Sequence, residues 1–214
     1  IQEMDINPLI LDERGAMAVD ARIVVGVPKP STDAYAHMAI HPYPSDLDTS
    51  FQLPDGRDVT IRPIRPEDAE IEQEFIRNLS DEAKYFRFMH AVHELTPEML
   101  VRFTQIDYDR EMALIVVTVE DGKEVEHGVV RYVTNPDQNS CEFAVVISDE
   151  FQGHGIGQRM LTRLMEIARS RGLDMMEGEV LTANHRMLEL VRSMDFQVQR
   201  SPENPGVQYV WTKL

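Results

Sequence analysis

The sequence predicts an α+β domain, and three observations carry this prediction. Residues 112–119 and 125–133 are apolar stretches separated by Asp121-Gly122, the pattern of two antiparallel strands joined by a tight turn. A further apolar stretch, 143–147, runs into a glycine-rich loop that opens directly into a helical pattern. Strand and helix patterns then continue to alternate to the C-terminus.

The first part of this domain is predicted as one strand followed by three helices. Residues 59–63 alternate as a strand, and 66–78 form a helix with acidic residues in its first turn. Ser80 is suited to cap the next helix, which reads DEAKYFRFM. Thr96 followed by Pro97 begins the third helix.

The second part contains the glycine loop and the elements that close the domain. The helix after the loop has apolar residues at helical spacing, namely Ile156, Met160, Leu164 and Ile167. The remaining predicted elements are a strand over 175–181, a helix over 184–194, and strands over 196–200 and 207–213.

Composition limits the classes of partner. The 214 residues carry a formal net charge of −16, which argues against binding a nucleic-acid backbone. The acidity favours either a basic protein partner or simply a well-solvated surface. No apolar run approaches the roughly 18 residues of a membrane span, and we expect neither a signal peptide nor a membrane partner. Cys141 is the only cysteine, so we expect a reducing, cytoplasmic location.

We expect the chain to divide into three segments. Residues 1–27 hold two predicted strands, 6–11 and 16–25, as a β-hairpin. Residues 28–54 are rich in proline and are predicted to be a linker. The α+β domain then spans 55–214.

The loop Gln152-Gly153-His154-Gly155-Ile156-Gly157 suits an anion. Its glycines let a phosphate approach the backbone, and the following helix N-terminus favours negative charge. A dinucleotide-binding fingerprint is excluded because Gln158 stands where the third glycine belongs. No Gly-Lys-Ser/Thr tripeptide indicates a P-loop. Taken alone, the loop is also compatible with an ordinary tight strand-to-helix turn.

The pattern Q-x-x-G-x-G resembles the pyrophosphate-binding loop of the GNAT superfamily of N-acetyltransferases, and the element order resembles the GNAT fold over about 55–214. The resemblance implies a mixed, mostly antiparallel sheet flanked by helices that splays between its fourth and fifth strands. It also implies acetyl-CoA as co-substrate, with pantetheine in the gap. It assigns co-substrate binding to Val145, Val146, Ile147, Gln152, Gly153, Gly155, Ile156, Gly157, Gln158 and Asn184. No metal site is expected.

Glu142 is the candidate general base. An amine must lose its proton before it attacks a thioester, and a free lysine is protonated at pH 7 because its pKa is near 10.4. Glu142 occupies the position that the family uses for its base, although it could also be an ordinary polar strand residue. Strand alternation places Glu142 on one face of the strand and Cys141 on the other.

The chain departs from the family pattern at the position expected for a proton donor. Many GNAT enzymes have a tyrosine seven residues after the asparagine to protonate the leaving thiolate, and Val191 stands there instead. Either another donor serves or the thiolate leaves unaided.

Asn184 could cap a helix as well as bind CoA. Cys141 is interpreted as a small buried residue rather than an acyl carrier, so we expect direct transfer.

Two further resemblances narrow the family. EMDINPLIL and VDARI resemble the end of the ATP-grasp domain of NDP-forming acyl-CoA synthetases, in which Asp5, Asn7 and Asp20 would face a Mg-nucleotide; we expect no activity from them in this chain. VTIRPIRPEDAE, EAKYFRFM and FTQIDYDREMA resemble bacterial Pat-type protein lysine acetyltransferases. The combination implies a protein substrate with a reactive lysine, in particular an acetyl-CoA synthetase. A small-amine acetyltransferase and a non-catalytic acetyl-CoA-sensing module are the alternatives.

Overall fold

The computed structural model describes residues 1, 3–13, 15–26, 41–202 and 204–214. These residues form two compact units, Ile1–His41 and Pro42–Leu214. Residues 28–40 of the predicted linker lie outside the described residues.

The described part of the N-terminal unit contains four short strands rather than one simple hairpin. β1 (Glu3–Ile6) pairs antiparallel with β4 (Ala21–Val24), and β2 (Leu9–Asp12) pairs antiparallel with β3 (Gly15–Ala18). Each predicted strand is thus divided into two. Pro8 lies at the division, and it has no N–H to donate to a ladder.

The second unit is built on one eight-stranded sheet. The strands lie in the order β11-β12-β10-β9-β8-β7-β6-β5, and every neighbouring pair is antiparallel except β9 and β10. Their bounds are Thr49–Gln52 (β5), Asp58–Pro63 (β6), Glu111–Glu120 (β7), Lys123–Thr134 (β8), Ser140–Ile147 (β9), Met175–Leu181 (β10), Gln197–Arg200 (β11) and Val207–Lys213 (β12).

Strand β5 corrects the predicted end of the linker. Residues 49–52 were assigned to the linker, but they pair with β6, and Phe51 lies opposite Val59. Asp55 and Gly56 therefore lie in the turn that joins two strands. Only Phe51 of β5 is partly buried, so the segment lacks the apolar alternation that identifies a strand.

Five helices flank the sheet, with bounds Ala69–Asn78 (α1), Asp81–Phe88 (α2), Pro97–Thr104 (α3), Ile156–Ser170 (α4) and His185–Ser193 (α5). Ser80 Oγ accepts the Ala83 N–H at 3.2 Å, and Thr96 Oγ1 accepts the Met99 N–H at 3.3 Å, so both predicted caps are present. No helix within the described ranges is long and apolar enough to cross a membrane.

The sheet separates two hydrophobic cores. Met112, Leu114 and Val116 of β7 belong to the core that contains the apolar side chains of α4 and α5. Ala113 and Ile115 point to the other face, toward α1–α3. This alternation confirms the predicted α+β fold, a mixed and mostly antiparallel sheet flanked by helices.

Candidate active site

The sheet forks between β9 and β10. These two strands pair only through Ser140–Met175, Cys141–Met176 and Glu142–Glu177. β9 continues along β8 to Ile147, whereas β10 continues along β12 to Leu181. The edge of β9 that faces β10 is therefore unpaired beyond Glu142, and the predicted splay lies at this fork.

A cavity of about 830 Å³ occupies the fork. Its walls come from the end of β9, the glycine loop, one side of α2 and the first turn of α5. The structure thus brings together all the residues that were predicted to bind the co-substrate. These are Val145, Val146, Ile147, Gln152, Gly153, Gly155, Ile156, Gly157, Gln158 and Asn184.

The backbone conformation of the loop favours glycine at two of its three glycine positions. Gly153 and Gly155 have φ of 81° and 76°, in the left-handed region that L side chains rarely adopt. A Cβ at either position would have nothing within 4 Å, so the space above the loop is open. Gly157 instead packs beneath α5, where a Cβ would lie 3.6 Å from the Leu190 side chain.

The loop ends in a helix N-terminus that is free to receive an anion. Gly155 is the N-cap of α4, and no side chain caps the helix. The Arg159 N–H donates to the Gly155 carbonyl at 3.0 Å, so the N–H groups just before Arg159 precede the intrahelical ladder. They and the helix dipole favour a phosphate group at this point of the cavity.

Gln152 joins the two sides of the cavity. Its Nε2 donates to the Ile147 carbonyl at 2.9 Å, and its Oε1 accepts a hydrogen bond from Arg186. Asn184 caps α5 by accepting the Met187 N–H at 3.1 Å. The sequence analysis missed Arg186, although a cation in the first turn of a helix is itself a signal, because the helix dipole disfavours it unless an anion is near.

Helix α2 contributes a second basic group that the sequence analysis missed. The half-buried Arg87 lines the cavity. Burial and the nearby Arg131 lower the pKa of Arg87 to about 10, while the carboxylates of Glu72 and Glu142 oppose this shift. Arg87 therefore remains charged at neutral pH. In the sequence, Arg87 stands out only as a single basic residue between Phe86 and Phe88 of a short helix.

The start of α2 is bonded to the turn before the glycine loop. The Asp149 carboxylate accepts the Ser80 N–H and the Ser80 hydroxyl, both at 3.1 Å. A residue pair 69 positions apart in sequence thus holds α2 against the cavity. No local pattern in the sequence indicates such a pairing.

Glu142 lies on the last paired position of the fork and is exposed. Cys141 points to the opposite face, where it is fully buried and its Sγ lies 3.7 Å from the Met175 carbonyl. Burial, with a smaller contribution from Glu177, raises the pKa of the Cys141 thiol to about 12. A thiol of this acidity is almost entirely protonated at neutral pH, so Cys141 is a poor nucleophile.

Val191 is part of the core beneath α5 and has no exposed surface. The position that holds a tyrosine in many relatives thus supplies no proton donor in this chain. In the described parts of the chain, no group of three or more histidine, cysteine or acidic residues is arranged to hold a metal ion.

Comparison with known proteins identifies the family. A family model described as an acetyltransferase (GNAT) domain matches residues 58–197. The chain is also 38% identical over 152 residues to acetyltransferase PA5475 from Pseudomonas aeruginosa, covering 71% of this chain and 82% of that protein. The chain therefore belongs to the GNAT family of acetyltransferases.

Solved structures agree with this assignment. The GNAT domain of S. lividans PAT has a TM-score of 0.73 and 28% identity, covering 81% of this chain and 100% of that domain. RimL, a ribosomal L7/L12 alpha-N-protein acetyltransferase solved with coenzyme A, shares the fold at 13% identity and a TM-score of 0.58, covering 73% of this chain and 94% of RimL. The protein is an acetyltransferase, and acetyl-CoA is its co-substrate.

Proposed function

We propose that the protein is a Pat-type lysine acetyltransferase that transfers an acetyl group from acetyl-CoA to the ε-amine of a protein lysine. The observation that carries this proposal is the position of Glu142. It is exposed on an open sheet face at the fork, where a side chain of a large acceptor protein can reach it. The Pat-like stretches and the likeness to the S. lividans PAT domain support the same assignment.

The cavity residues would hold acetyl-CoA in a defined direction. The pyrophosphate would lie on the N–H groups of the glycine loop and the start of α4, with Gln152, Gln158 and Asn184 beside it. Arg186 would add a positive charge at the cavity wall. The unpaired edge of β9 over 145–147 would receive the amides of pantetheine as a neighbouring strand would.

The chain's own part in the chemistry is to remove a proton from the acceptor. Bound acetyl-CoA supplies the acetyl group as a thioester. A carboxylate oxygen of Glu142 accepts the proton of the lysine ammonium, directly or through water, so that the neutral amine forms the new C–N bond as the C–S bond breaks. The second amine proton, released as the amide forms, passes to water. Since Val191 donates no proton, the CoA sulfur leaves as a thiolate, and a thiol pKa near 8.5 makes this feasible.

The test is a comparison of wild type with Glu142→Gln. Release of free thiol from acetyl-CoA is measured with a bacterial acetyl-CoA synthetase as acceptor, and mass spectrometry maps the acetylated lysine. We expect site-specific acetylation by the wild type and a loss of about 10²- to 10⁴-fold in kcat for Glu142→Gln. Affinity for acetyl-CoA is expected to stay unchanged.

Glu74→Gln is the matched control, because Glu74 is exposed on α1 and has no place in the cavity. Equal activity of Glu142→Gln and the control would leave the enzyme but reject Glu142 as base. Acetylation of spermidine or free amino acids alone would identify a small-amine enzyme. Tight acetyl-CoA binding with no transfer to any amine would identify a sensing module.

We propose further that residues 1–27 are the end of an ATP-grasp-like domain. Apolar side chains of β2 and β3 are largely exposed, with Leu11 at 71% and Met17 at 68%, as expected for strands that pack against other parts of a larger domain. Asp5, Asn7 and Asp20 are then only part of a nucleotide site. We expect no heat of binding when MgATP is titrated into the chain, and a saturable signal would contradict this.

A further inference from the structure

One face of the sheet is open to solvent where it continues past Glu142 onto β10–β12. Over β6–β9 this face is covered by α1–α3, whose apolar side chains pack against Ile115, Val129 and Val146. Over β10–β12 the side chains that point the same way are exposed or half-exposed apart from Val207 at the start of β12, whereas Val180 and Val210, which point the other way, are buried.

The strand registers place the side chains of this open face in rows. Glu142 lies opposite Glu177, Glu177 opposite Trp211, and Trp211 opposite Gln197, so these four residues form one row across four strands. Side chains of cross-strand partners share a face. The next row consists of Glu179, Tyr209 and Gln199.

The face combines carboxylates with a rigid aromatic pair. The Tyr209 and Trp211 rings are stacked, with centroids 5.2 Å apart. Glu177 is fixed, because one of its oxygens accepts from Asn135 at 2.7 Å and the other accepts from the Tyr209 hydroxyl. Among the residues of β9–β12 whose side chains point to this open face, only Lys213 is basic, and it lies at the far end of β12.

The opposed carboxylates of Glu142 and Glu177 favour a cation between them. Like charges directly opposite on neighbouring strands repel, and an ammonium group arriving there relieves the repulsion. The stacked indole and phenol present faces that attract a second cation, and Glu179 adds a further negative charge. All of these groups lie on the same sheet face as Glu142, in its row of side chains or in the next one.

We propose that this open face is the docking surface for the acceptor, and that its occupant is a protein segment with basic residues near the target lysine. This inference rests on the proposed lysine acetyltransferase activity. The target lysine enters at Glu142, and a neighbouring Arg or Lys packs on Trp211 beside Glu179. Two strand spacings separate Glu142 from Trp211, about 10 Å, which an extended chain spans in about three residues.

The test uses two lysine peptides that differ only at the positions three residues before and after the lysine. One peptide has Arg at both positions and the other has Glu. For the wild type we expect KM for the Arg peptide to be lower by about fivefold or more, and this preference to weaken with added salt.

The variants are Glu179→Lys and Trp211→Ala. Each is expected to raise KM for the Arg peptide about fivefold, with kcat and KM for acetyl-CoA unchanged. Trp211→Phe, which keeps an aromatic face, should retain most of the preference and guards against misfolding of Trp211→Ala. Glu74→Lys makes the same charge reversal on the exposed side of α1 and should behave like the wild type.

The outcomes separate the two proposals. Equal KM values for both peptides, or a preference that survives Glu179→Lys and Trp211→Ala, would overturn the docking surface and leave the lysine acetyltransferase standing. Failure of the wild type to acetylate either peptide or any protein lysine would remove the proposed function, and the docking surface with it.

Discussion

Two charged clusters lie on the sheet face beneath α1–α3, and they are built in opposite ways. In the first, the Arg62 guanidinium binds both oxygens of Asp68 at 2.7 and 2.8 Å. The same guanidinium bonds Glu124 at 2.6 and 3.2 Å and the Pro63 carbonyl at 3.1 Å. Burial disfavours its charge, but the two carboxylates outweigh this and raise the pKa of Arg62. All the N–H donors of its guanidinium are therefore used.

The second cluster comprises Glu72 of α1 with Glu126 and Arg131 of β8. Arg131 approaches Glu72 only to 3.9 Å. Within the described part of the chain, Glu72 Oε2, both oxygens of Glu126 and Arg131 Nε have no hydrogen-bond partner. Burial, and then the neighbouring Glu72 carboxylate, raise the pKa of Glu126 well above its usual range.

The difference shows that buried charges affect the stability of this fold in two opposite directions. The Arg62 cluster fixes β6, the start of α1 and the start of β8 to one another, so removal of Arg62 leaves two carboxylates without their partner. The second cluster leaves charges unmatched, so it costs stability at any pH where Glu126 is ionised. We therefore expect that removing Arg62 lowers the free energy of unfolding, whereas neutralising Glu126 raises it.

The largest effect is expected for Arg62→Met. Removing one partner of a buried ion pair leaves an uncompensated charge, and the free energy of unfolding should fall by about 3–5 kcal/mol. Urea denaturation monitored by circular dichroism measures it. Arg57→Met removes a solvent-screened surface ion pair with Asp55 and should change the free energy of unfolding far less than Arg62→Met does. Similar losses in both variants would contradict this interpretation of the first cluster.

An effect of opposite sign is expected for Glu126→Gln. Because the pKa of Glu126 is higher in the folded than in the unfolded protein, its contribution is present below its unfolded pKa and is lost as pH rises above it. Glutamine has the same shape, stays neutral and can donate to Glu72. We expect a gain of about 1–3 kcal/mol at pH 8.

The same variant should show little gain near pH 4, where the wild-type carboxyl is already protonated. Thermal unfolding of both proteins across this pH range provides the measurement. A destabilised variant at pH 8, or a gain that does not depend on pH, would mean that the carboxylate of Glu126 is compensated in the folded protein.

The smallest effect is expected for Arg77→Met, which removes an ion pair outside both clusters. Arg77 and Glu94 lie 2.6 Å apart, but both side chains are more than half exposed. Solvent and salt screen such a pair, so the loss should be about 0.2–1 kcal/mol and should vanish in 1 M NaCl. A larger loss that does not depend on salt would mean that this pair behaves like a buried ion pair.

Local pattern was sufficient to predict most of the secondary structure, whereas the co-substrate cavity was implied by the family resemblance. The Asp121-Gly122 hairpin, the Ser80 and Thr96 caps and the alternation around Glu142 are encoded within a few residues of each other. The glycine loop was found the same way. Its binding role, like that of Glu142, stays a prediction.

The features that the sequence analysis missed depend on distant partners. Arg62 bonds a carboxylate 62 positions away, and Ser80 bonds one 69 positions away, so neither looks unusual in its own segment. Glu72 reads as a polar residue of an amphipathic helix, yet it is buried. Strand β5 was missed because its partner β6, rather than its own apolar content, holds it in the sheet.

In the binding mode proposed above, the fork between β9 and β10 would make acetyl-CoA a temporary part of the protein's secondary structure. The backbone groups of 145–147 that face β10 have no strand beside them, and the amides of a bound pantetheine would complete the interrupted ladder. Binding in this mode would stabilise the folded protein by mass action, more strongly at higher acetyl-CoA concentration. Amide protons on this edge should exchange with solvent deuterium quickly in the free protein and slowly once acetyl-CoA is bound.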